Sequence, residues 1–149
     1  MSAHSILLVE DDHNDVFFFR RAAELAGLQN PIHVARDGRE VTAYLSGTGE
    51  FGERKNHPLP ALVIMDLNLI EMPGLEVLKW IRQESQCPAV PVIVLTSSSS
   101  DLDVFAAYRA GANSFLIKPS DPDQLIELLK VIQRYWFECC QLLPRARNP

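Results

Sequence analysis

Short apolar runs alternate with longer amphipathic segments along the chain. Five runs are rich in branched residues and lack polar alternation, as buried strands do: Ser5–Val9, Ile32–Ala35, Ala61–Met65, Pro91–Leu95 and Ser114–Ile117. Five segments have helical spacing: Val16–Ala26, Arg39–Leu45, Leu75–Gln83, Leu102–Ala110 and Gln124–Phe137. Strands of this kind are typical of a sheet covered by helices on both faces. The pattern predicts an α/β fold, a doubly wound five-stranded parallel sheet between two helical layers.

The last predicted helix carries more apolar side chains than one face of a sheet can bury. At about 100° per residue, a core stripe and two flanking groups emerge. The stripe is Leu125, Leu129, Ile132 and Trp136, flanked by Leu128, Val131 and Tyr135 on one side and by Ile126 and Phe137 on the other. Because burying such a side chain is worth roughly 1.5–3 kcal/mol, we expect a partner subunit or the folded-back tail to cover the surplus. A homodimer is the favoured hypothesis.

Two features lie outside the repeating pattern. The glycine- and proline-punctuated segment Ser46–Pro60 is either a binding loop or a tolerated insertion, and its composition favours the insertion. The cysteines Cys87, Cys139 and Cys140 are odd in number and lack the paired spacing of a zinc site. We expect free thiols, with a redox-active vicinal pair as the alternative.

Length, composition and charge narrow the range of possible functions. The 149 residues predict a single domain, with a core at about 4–138 and a tail at about 139–149, and leave no room for a second output domain. The apolar runs are too short to cross a bilayer and no export signal opens the chain, so we expect a cytoplasmic protein. A net charge of −5, with Arg145 and Arg147 as the only late basic residues, argues against nucleic-acid binding.

Candidate chemistry lies where the predicted strands end. Ligands bind to an open parallel sheet in the crevice beyond the carboxyl ends of its strands. Glu10 and Asp11 follow the first predicted strand, Asp66 follows the third, Thr96 follows the fourth, and Lys118 follows the fifth. Three carboxylates, a hydroxyl and an ammonium are therefore expected along one edge of the sheet.

Each of these residues has an ordinary explanation when it is taken alone. An acidic pair after a strand is more often a helix cap or a solvated turn, and Asp12, Asn14 and Asp15 are equally suited to capping. A threonine at a strand end is typical of a turn, and a Lys-Pro step is typical of a loop. Their occurrence at the ends of four different strands, in this order, favours a joint function.

The joint function that we predict is magnesium-dependent phosphoryl transfer. Crowded carboxylates raise one another's pKa unless a cation lies among them. Mg²⁺ prefers oxygen ligands of this kind, and the backbone carbonyl of Asn68 is a further candidate ligand. Lys118 would hold a phosphoryl oxygen and stabilise the charge that develops during transfer. Asp66 is the expected nucleophile.

Three other functions explain parts of the pattern. A phosphatase of the haloacid-dehalogenase type needs a second carboxylate two residues after its nucleophile, where this chain has Asn68. A nucleotide-binding module needs a glycine-rich loop after the first strand, where Glu10, Asp11 and Asp12 would repel phosphates. A non-phosphorylated scaffold or dimerisation module would be expected to lack at least one site residue, and none is missing.

Four segments carry a resemblance to a known family: Ile6–Asp12 (ILLVEDD), Ile64–Leu69 (IMDLNL), Val94–Ser97 (VLTS) and Ala110–Pro119 (AGANSFLIKP). They resemble the receiver domain of response regulators, over nearly the whole chain. Three further segments are most similar to stand-alone receivers associated with bacterial phytochromes: Asn30–Gly38, Ser46–Pro60 and Lys79–Arg82. The resemblance implies a flavodoxin-like fold of strand order 2-1-3-4-5. It also implies a sensor histidine kinase as partner, with a bacterial phytochrome as one candidate.

The resemblance also implies roles for the site residues. Asp66 would be the phosphoacceptor, taking its group from a kinase's phosphohistidine. Asp11 and Asp66 would bind Mg²⁺ directly and Glu10 through water. Thr96 would hydrogen-bond the phosphoryl group, Lys118 would pair with it, and the peptide bond from Lys118 to the following proline would be cis. Magnesium-dependent self-phosphorylation and self-dephosphorylation would be the only reactions, so the chain would not be an enzyme.

Signal output would use the surface of the fourth helix, fifth strand and fifth helix. The switch aromatic of the family falls on Phe115, which lacks a hydroxyl and so would couple to Thr96 through packing alone. Homodimer contacts would come from Leu128, Val131 and Tyr135. The chain departs from the family pattern at Ile70, usually a proline, and at Pro73, usually acidic. Neither change removes a residue that performs chemistry.

Overall fold

Five parallel strands form one sheet in the order β2-β1-β3-β4-β5 in a computed structural model that describes residues 4–144. The strands are β1 (Ile6–Val9), β2 (Ile32–Ala35), β3 (Leu62–Met65), β4 (Val92–Thr96) and β5 (Ser114–Ile117). The helices are α1 (His13–Leu25), α2 (Gly38–Ser46), α3 (Gly74–Glu84), α4 (Asp101–Ala110) and α5 (Pro122–Ile132). The predicted fold class and strand order are confirmed.

Side chains alternate between two hydrophobic layers, one on each face of the sheet. The side chains of Leu7, Val63 and Val94 pack with residues of α2, α3 and α4. Their neighbours Leu8 and Ile64 point the other way and pack with residues of α1 and α5. Because successive side chains of a strand face opposite sides, a strand buried on both faces must be apolar at every position. The uninterrupted apolar runs of the sequence follow from this arrangement.

Strand register brings the carboxyl ends of the central strands into line. Val9 of β1 is aligned with Met65 of β3, and β1 and β3 are parallel neighbours. The Asp66 backbone N–H donates to the carbonyl of Val9 at 3.0 Å. The acidic residues that follow both strands therefore emerge side by side at one edge. On the far side, the Lys118 N–H donates to the carbonyl of Thr96 at 2.7 Å and aligns the ends of β4 and β5.

Two helix termini, one at each edge of the sheet, are closed by specific residues. Asp12 caps α1, since its side chain accepts hydrogen bonds from the backbone N–H groups of Asn14 and Asp15. Gly111 ends α4 in the left-handed conformation, with φ 111°. Arg82 of α3 donates through its guanidinium to the carbonyl of Gly111 and thereby joins α3 to the turn before β5.

The end of α5 differs from the regular helix that the periodicity predicts. The α-helix ends at Ile132, and the chain continues as a π-helix over Gln133–Cys139. The wider π turn shifts the faces relative to a 100° pattern. Leu125, Leu129 and Ile132 are buried as predicted, whereas Trp136 is only partly buried against the same core.

The segment Ser46–Pro60 is folded onto the domain. It contains a 3₁₀ turn at Gly49–Gly52. Arg54 donates to the backbone carbonyls of Tyr44 and His57, and the Tyr44 hydroxyl donates to the carbonyl of Pro58 at 2.8 Å. Burial raises the pKa of Tyr44 to about 12, which keeps the hydroxyl protonated and donating at neutral pH.

One prediction about the backbone is wrong. The Lys118–Pro119 peptide bond is trans, as is every other peptide bond within residues 4–144. An X–Pro bond prefers trans by only about 0.5–1 kcal/mol, so local packing decides the isomer and the sequence does not.

Other predictions concern the surface and the chain ends. The thiols of Cys87, Cys139 and Cys140 are free, as expected. Within the part of the chain that is described, no helix is long and apolar enough to span a membrane. Arg145 and Arg147, which entered the argument against nucleic-acid binding, lie outside the described residues.

Candidate functional site

The ammonium of Lys118 lies among three carboxylates at the carboxyl edge of the sheet. Its Nζ is 2.6 Å from Glu10 Oε1, 2.9 Å from Asp66 Oδ2 and 3.0 Å from Asp15 Oδ2. Glu10 and Asp66 are buried, while Asp15 is partly exposed on the first turn of α1. The structure thus brings together Lys118, Glu10 and Asp66 as the sequence predicted, and adds Asp15.

The other oxygen of Asp66 is also fully engaged. Asp66 Oδ1 accepts from the Thr96 hydroxyl at 2.9 Å and from the backbone N–H of Asn68 at 2.9 Å. Thr96 is completely buried, and the side-chain amide of Asn68 reaches its hydroxyl at 3.4 Å. Burying a charged carboxylate is tolerable only when its lone pairs are satisfied in this way.

The pKa values of the two buried carboxylates, Glu10 and Asp66, are shifted in opposite directions. Burial raises the pKa of Glu10 to about 7, an effect that the Lys118 ammonium opposes and the charge of Asp66 reinforces. Burial acts on Asp66 in the same sense, but hydrogen bonds from Asn68, Lys118 and Thr96 outweigh it, so the pKa of Asp66 lies below its usual value. Asp66 is therefore the carboxylate that stays ionised, as a nucleophile must.

Lys118 keeps its charge for a related reason. Burial lowers the pKa of a lysine, but the hydrogen bonds to Glu10, Asp66 and Asp15 outweigh burial and raise the pKa of Lys118. A permanently charged ammonium beside Asp66 is a fixed positive charge suited to an anionic group.

The loop after β3 forms one wall of the site. The backbone N–H of Ile70 donates to Asp11 Oδ2 at 2.9 Å, and Glu71 adopts a left-handed conformation with φ 73°. Gly74 begins α3 against the backbone of the phosphoacceptor candidate, because a Cβ added there would lie 2.7 Å from the carbonyl oxygen of Asp66. Only glycine fits that close approach.

The donor set fits a divalent cation. Carboxylate oxygens of Glu10, Asp15 and Asp66 all lie within 4.8 Å of one another. Hard oxygen ligands at such separations suit ions of the Mg²⁺ class. Asp11, predicted to bind the metal directly, lies outside this group and holds the Ile70 backbone instead, and its role as a ligand stays a prediction, as does that of the Asn68 carbonyl.

Asp15 is the residue that sequence reasoning treated only as a capping candidate. The signal that could have identified Asp15 was the N-cap of α1. With Asp12 fixing the start of α1, Asp15 falls in the first helical turn. Helix side chains lean towards the N-terminus, which here faces the ends of the strands.

The predicted switch and interface residues lie beyond the site. Phe115 is partly buried against the core layer formed with α2, α3 and α4. Leu128 is partly buried, while Val131 and Tyr135 are exposed on α5 and the π-helix. The Ser98 hydroxyl, two residues after Thr96, donates to the Asp103 carboxylate on α4. This bond joins the loop after β4 to α4.

The site opens into a crevice of about 620 Å³ between α1 and α5. Its polar floor is formed by the acidic residues and Lys118, and its outer walls by apolar side chains that include Phe18, Leu25 and Pro122. A charged centre at the base of a partly apolar crevice is accessible to a small molecule and to a protein side chain.

Comparison with known proteins gives a consistent family. The family model described as the response regulator receiver domain matches residues 6–130. The response regulator Rcp1 of Synechocystis is 34% identical over 137 residues, covering 92% of this chain and 91% of Rcp1. The probable methanogenesis regulatory protein FilR2 of Methanothrix harundinacea is 38% identical over 131 residues, covering 88% of this chain and 82% of FilR2.

Solved structures agree with the sequence comparison. The phosphorylated cyanobacterial phytochrome response regulator RcpA has a TM-score of 0.85 and 31% identity, with 95% of this chain and 99% of that chain covered. The Mn²⁺-bound form of Rcp1 has a TM-score of 0.82 and 33% identity, with the same coverage. The resemblance to phytochrome-associated receivers is thereby confirmed, and a metal-bound structure is known for one of them.

Proposed function

Because this chain belongs to the response regulator receiver domain family, we propose that it takes a phosphoryl group on Asp66 from a sensor histidine kinase and signals through protein contacts. The observation that carries the proposal is the placement of Lys118 Nζ 2.9 Å from an ionised, buried Asp66. An isolated buried carboxylate would protonate, whereas this one is held charged and beside a fixed cation.

The reaction needs little from the protein beyond positioning and charge. An oxygen of Asp66 attacks the phosphorus of the donor, the bond from phosphorus to the donor nitrogen or oxygen breaks, and an acyl phosphate forms on Asp66. Lys118 lies on the Oδ2 side of Asp66, and the Thr96 hydroxyl lies on the Oδ1 side at 2.9 Å. In our proposal both donors shift from the carboxylate to oxygens of the new phosphoryl group.

Mg²⁺ is the proposed cofactor. Glu10 and Asp66 would hold it, with Asp11 and the backbone carbonyl of Asn68 as further proposed ligands. When bound, the ion neutralises charge on the carboxylates and on the transferring group. The fit rests on the oxygens of Glu10, Asp15 and Asp66 that lie within 4.8 Å of one another. The finding of Mn²⁺ in Rcp1 supports a divalent ion of this class.

The output is proposed to be a change at the surface of α4, β5 and α5. Thr96 and the Ser98–Asp103 bond connect the phosphorylation site to α4. Phe115 would adjust by packing alone, and a homodimer would form through Leu128, Val131 and Tyr135. Replacing Tyr135 with alanine should then weaken the dimer, and light scattering of both phosphorylation states measures this. An unchanged assembly state would remove Tyr135 from the interface.

The proposal also covers the extent of the domain, the type of kinase and the localisation. The chain would act as one receiver domain over 1–149, without turnover of a substrate other than its own phosphoryl group. Its kinase would be of the bacterial phytochrome type, since RcpA is a phytochrome response regulator. A cytoplasmic protein that does not bind nucleic acid is consistent with the net charge of −5.

Intact mass measurement tests the proposal. Wild type and Asp66→Asn are incubated with Mg²⁺ and acetyl phosphate, then analysed rapidly at neutral pH. A single phosphoryl adduct in the wild type, absent from Asp66→Asn and absent after chelation of the metal, is expected. If the wild type forms no adduct and also fails to bind beryllofluoride, the chain is instead a non-phosphorylated scaffold.

A further inference from the structure

All three donors of the Lys118 ammonium are occupied. A lysine ammonium carries three N–H groups and no acceptor. In Lys118 these groups donate hydrogen bonds to Glu10 at 2.6 Å, to Asp66 at 2.9 Å and to Asp15 at 3.0 Å. If Asp66 becomes phosphorylated, as the proposed function requires, Lys118 can serve further phosphoryl oxygens only by giving up a present partner.

The three partners differ in how easily they can be given up. The donor now on Asp66 moves to the phosphoryl group in the proposed reaction, so a further donor must come from Glu10 or Asp15. The side chain of Glu10 is 5% exposed, so a lost hydrogen bond there would leave a buried carboxylate unsatisfied. The side chain of Asp15 is 41% exposed, so water can replace Lys118 at little cost. Asp15 is therefore the partner that costs least to release.

We propose that Asp15 is the exchangeable partner of Lys118, holding the third donor in the unphosphorylated protein and releasing it to the phosphoryl group on Asp66. Asp15 is a positioning residue, because it acts on the reaction only through Lys118. It competes with the phosphoryl oxygens and so restrains phosphorylation until a donor is in place.

The exchange has a structural consequence for α1. Asp15 sits in the first turn of α1, which the Asp12 cap fixes in place. The contact with Lys118 joins this turn to the end of β5. Loss of the contact on phosphorylation would free the Asp15 carboxylate at the mouth of the crevice, so the first turn of α1 would differ between the two states.

The rate test compares Asp15→Asn with the wild type at saturating Mg²⁺, which removes any effect on metal affinity. Asparagine keeps the shape and removes the charge, so Lys118 is held more weakly. The rate of phosphorylation by acetyl phosphate should rise about 2–5-fold, the range expected for loss of a partly exposed ion pair. Asp15→Glu restores the charge and should return the rate towards that of the wild type.

A matched control separates the contact from the general charge. Asp12→Asn removes the same unit charge in the same turn, and asparagine remains a good N-cap. Asp12 makes no ion pair with Lys118, whose carboxylate partners in the described part of the chain are Glu10, Asp15 and Asp66. Asp12→Asn should therefore change the rate less than Asp15→Asn. Equal acceleration by the two variants would overturn the proposal. Electrostatic repulsion of the phosphodonor by the acidic side chains would then explain the rates.

A second readout does not depend on phosphorylation. In metal-free ¹⁵N-labelled protein, proton exchange of the Lys118 ammonium with solvent should be slow in the wild type and in Asp12→Asn, and several times faster in Asp15→Asn. Identical exchange in the wild type and Asp15→Asn would contradict the role of Asp15. If the wild type forms no adduct, the proposed function fails, while the ammonium exchange still decides whether Asp15 holds Lys118.

Discussion

The edge of the sheet that holds Asp66 and the surface of α4 are built in opposite ways. At the edge, the buried polar groups Glu10, Asp66 and Thr96 all have hydrogen-bond partners within the chain. Within α4, every residue of which is described, only Ala107 is buried. Its large apolar side chains Leu102, Phe105 and Tyr108 are 79%, 70% and 49% exposed.

This difference suits the two regions to different kinds of recognition. Buried charges are stable only in a complete arrangement, so the edge is preorganised for one chemical event. Exposed aromatic and aliphatic side chains gain stability only when a partner covers them, so α4 is suited to protein contacts. The Ser98–Asp103 hydrogen bond joins the loop that follows Thr96 to α4.

The largest effect is expected when the charge at the centre of the edge is removed. Lys118→Ala leaves the carboxylates of Glu10 and Asp15 beside Asp66 without the ammonium, and loss of one such donor typically lowers a rate by about 10²–10³-fold. The initial rate of adduct formation with acetyl phosphate at saturating Mg²⁺ measures this. Lys130→Ala, which removes an exposed lysine whose ion-pair partner among residues 4–144 is Glu127, is the control and should react as the wild type does. A normal rate in Lys118→Ala would show that the edge is not preorganised by charge.

The next effect concerns the pH dependence of stability in metal-free protein. Burial raises the pKa of Glu10 from 4.5 to about 7, so the folded state binds this proton more tightly than the unfolded state does. The resulting stability is complete below about pH 4.5 and is lost as the pH rises through 7. Relative to Glu10→Gln, the wild type should lose on the order of 3 kcal/mol across that window.

Urea unfolding at several pH values in the presence of a chelator measures this difference. His33, whose pKa is lowered by burial, is common to both proteins, so its titration cancels in the comparison. Parallel pH profiles for the wild type and Glu10→Gln would mean that Glu10 titrates normally in the folded protein.

A smaller effect is expected from crowding at Gly74. A Cβ there would lie 2.7 Å from the Asp66 carbonyl oxygen and from the Leu67 Cα, and these backbone atoms cannot move without shifting the end of β3. Gly74→Ala should therefore cost about 1–3 kcal/mol of unfolding free energy. Denaturant titration compares it with Lys79→Ala on the exposed face of α3, expected within about 0.5 kcal/mol of wild type. Equal stabilities would show that the loop relaxes freely.

The sequence was sufficient to predict the sheet and the strand ends that form the site, but not the local details of the site. The uninterrupted apolar runs and the residues after them predicted the sheet and the meeting of Glu10, Asp66 and Lys118. Thr96, predicted to follow its strand, is instead the last residue of β4. Asp15 was missed because a capping role explains any aspartate in a first helical turn.

Two further details depend on packing that no local pattern encodes. The trans bond between Lys118 and Pro119 reflects a small intrinsic preference that tertiary contacts decide. The π-helix at Gln133–Cys139 follows an α-helix of unbroken amphipathic period, and the sequence gives no glycine or proline to mark the change.

The smallest effect on stability is expected on α4. Phe105→Ser changes a side chain that is 70% exposed, so the unfolding free energy should change by less than about 0.5 kcal/mol. Phosphorylation by acetyl phosphate should also be unchanged, because Phe105 lies outside the site. Thermal unfolding and intact mass measure the two quantities. A loss of several kcal/mol would show that α4 already has a partner within the folded chain.

Site-specific reduction shows directly whether Asp66 is the phosphoacceptor. Borohydride converts an acyl phosphate on aspartate to homoserine, which marks the modified residue in a peptide map. The tryptic peptide from Asn56 to Lys79 contains Asp66 as its one aspartate. After incubation with Mg²⁺ and acetyl phosphate, homoserine at position 66 is the predicted result. Homoserine at Asp11 or Asp15 with position 66 unmodified would contradict the account.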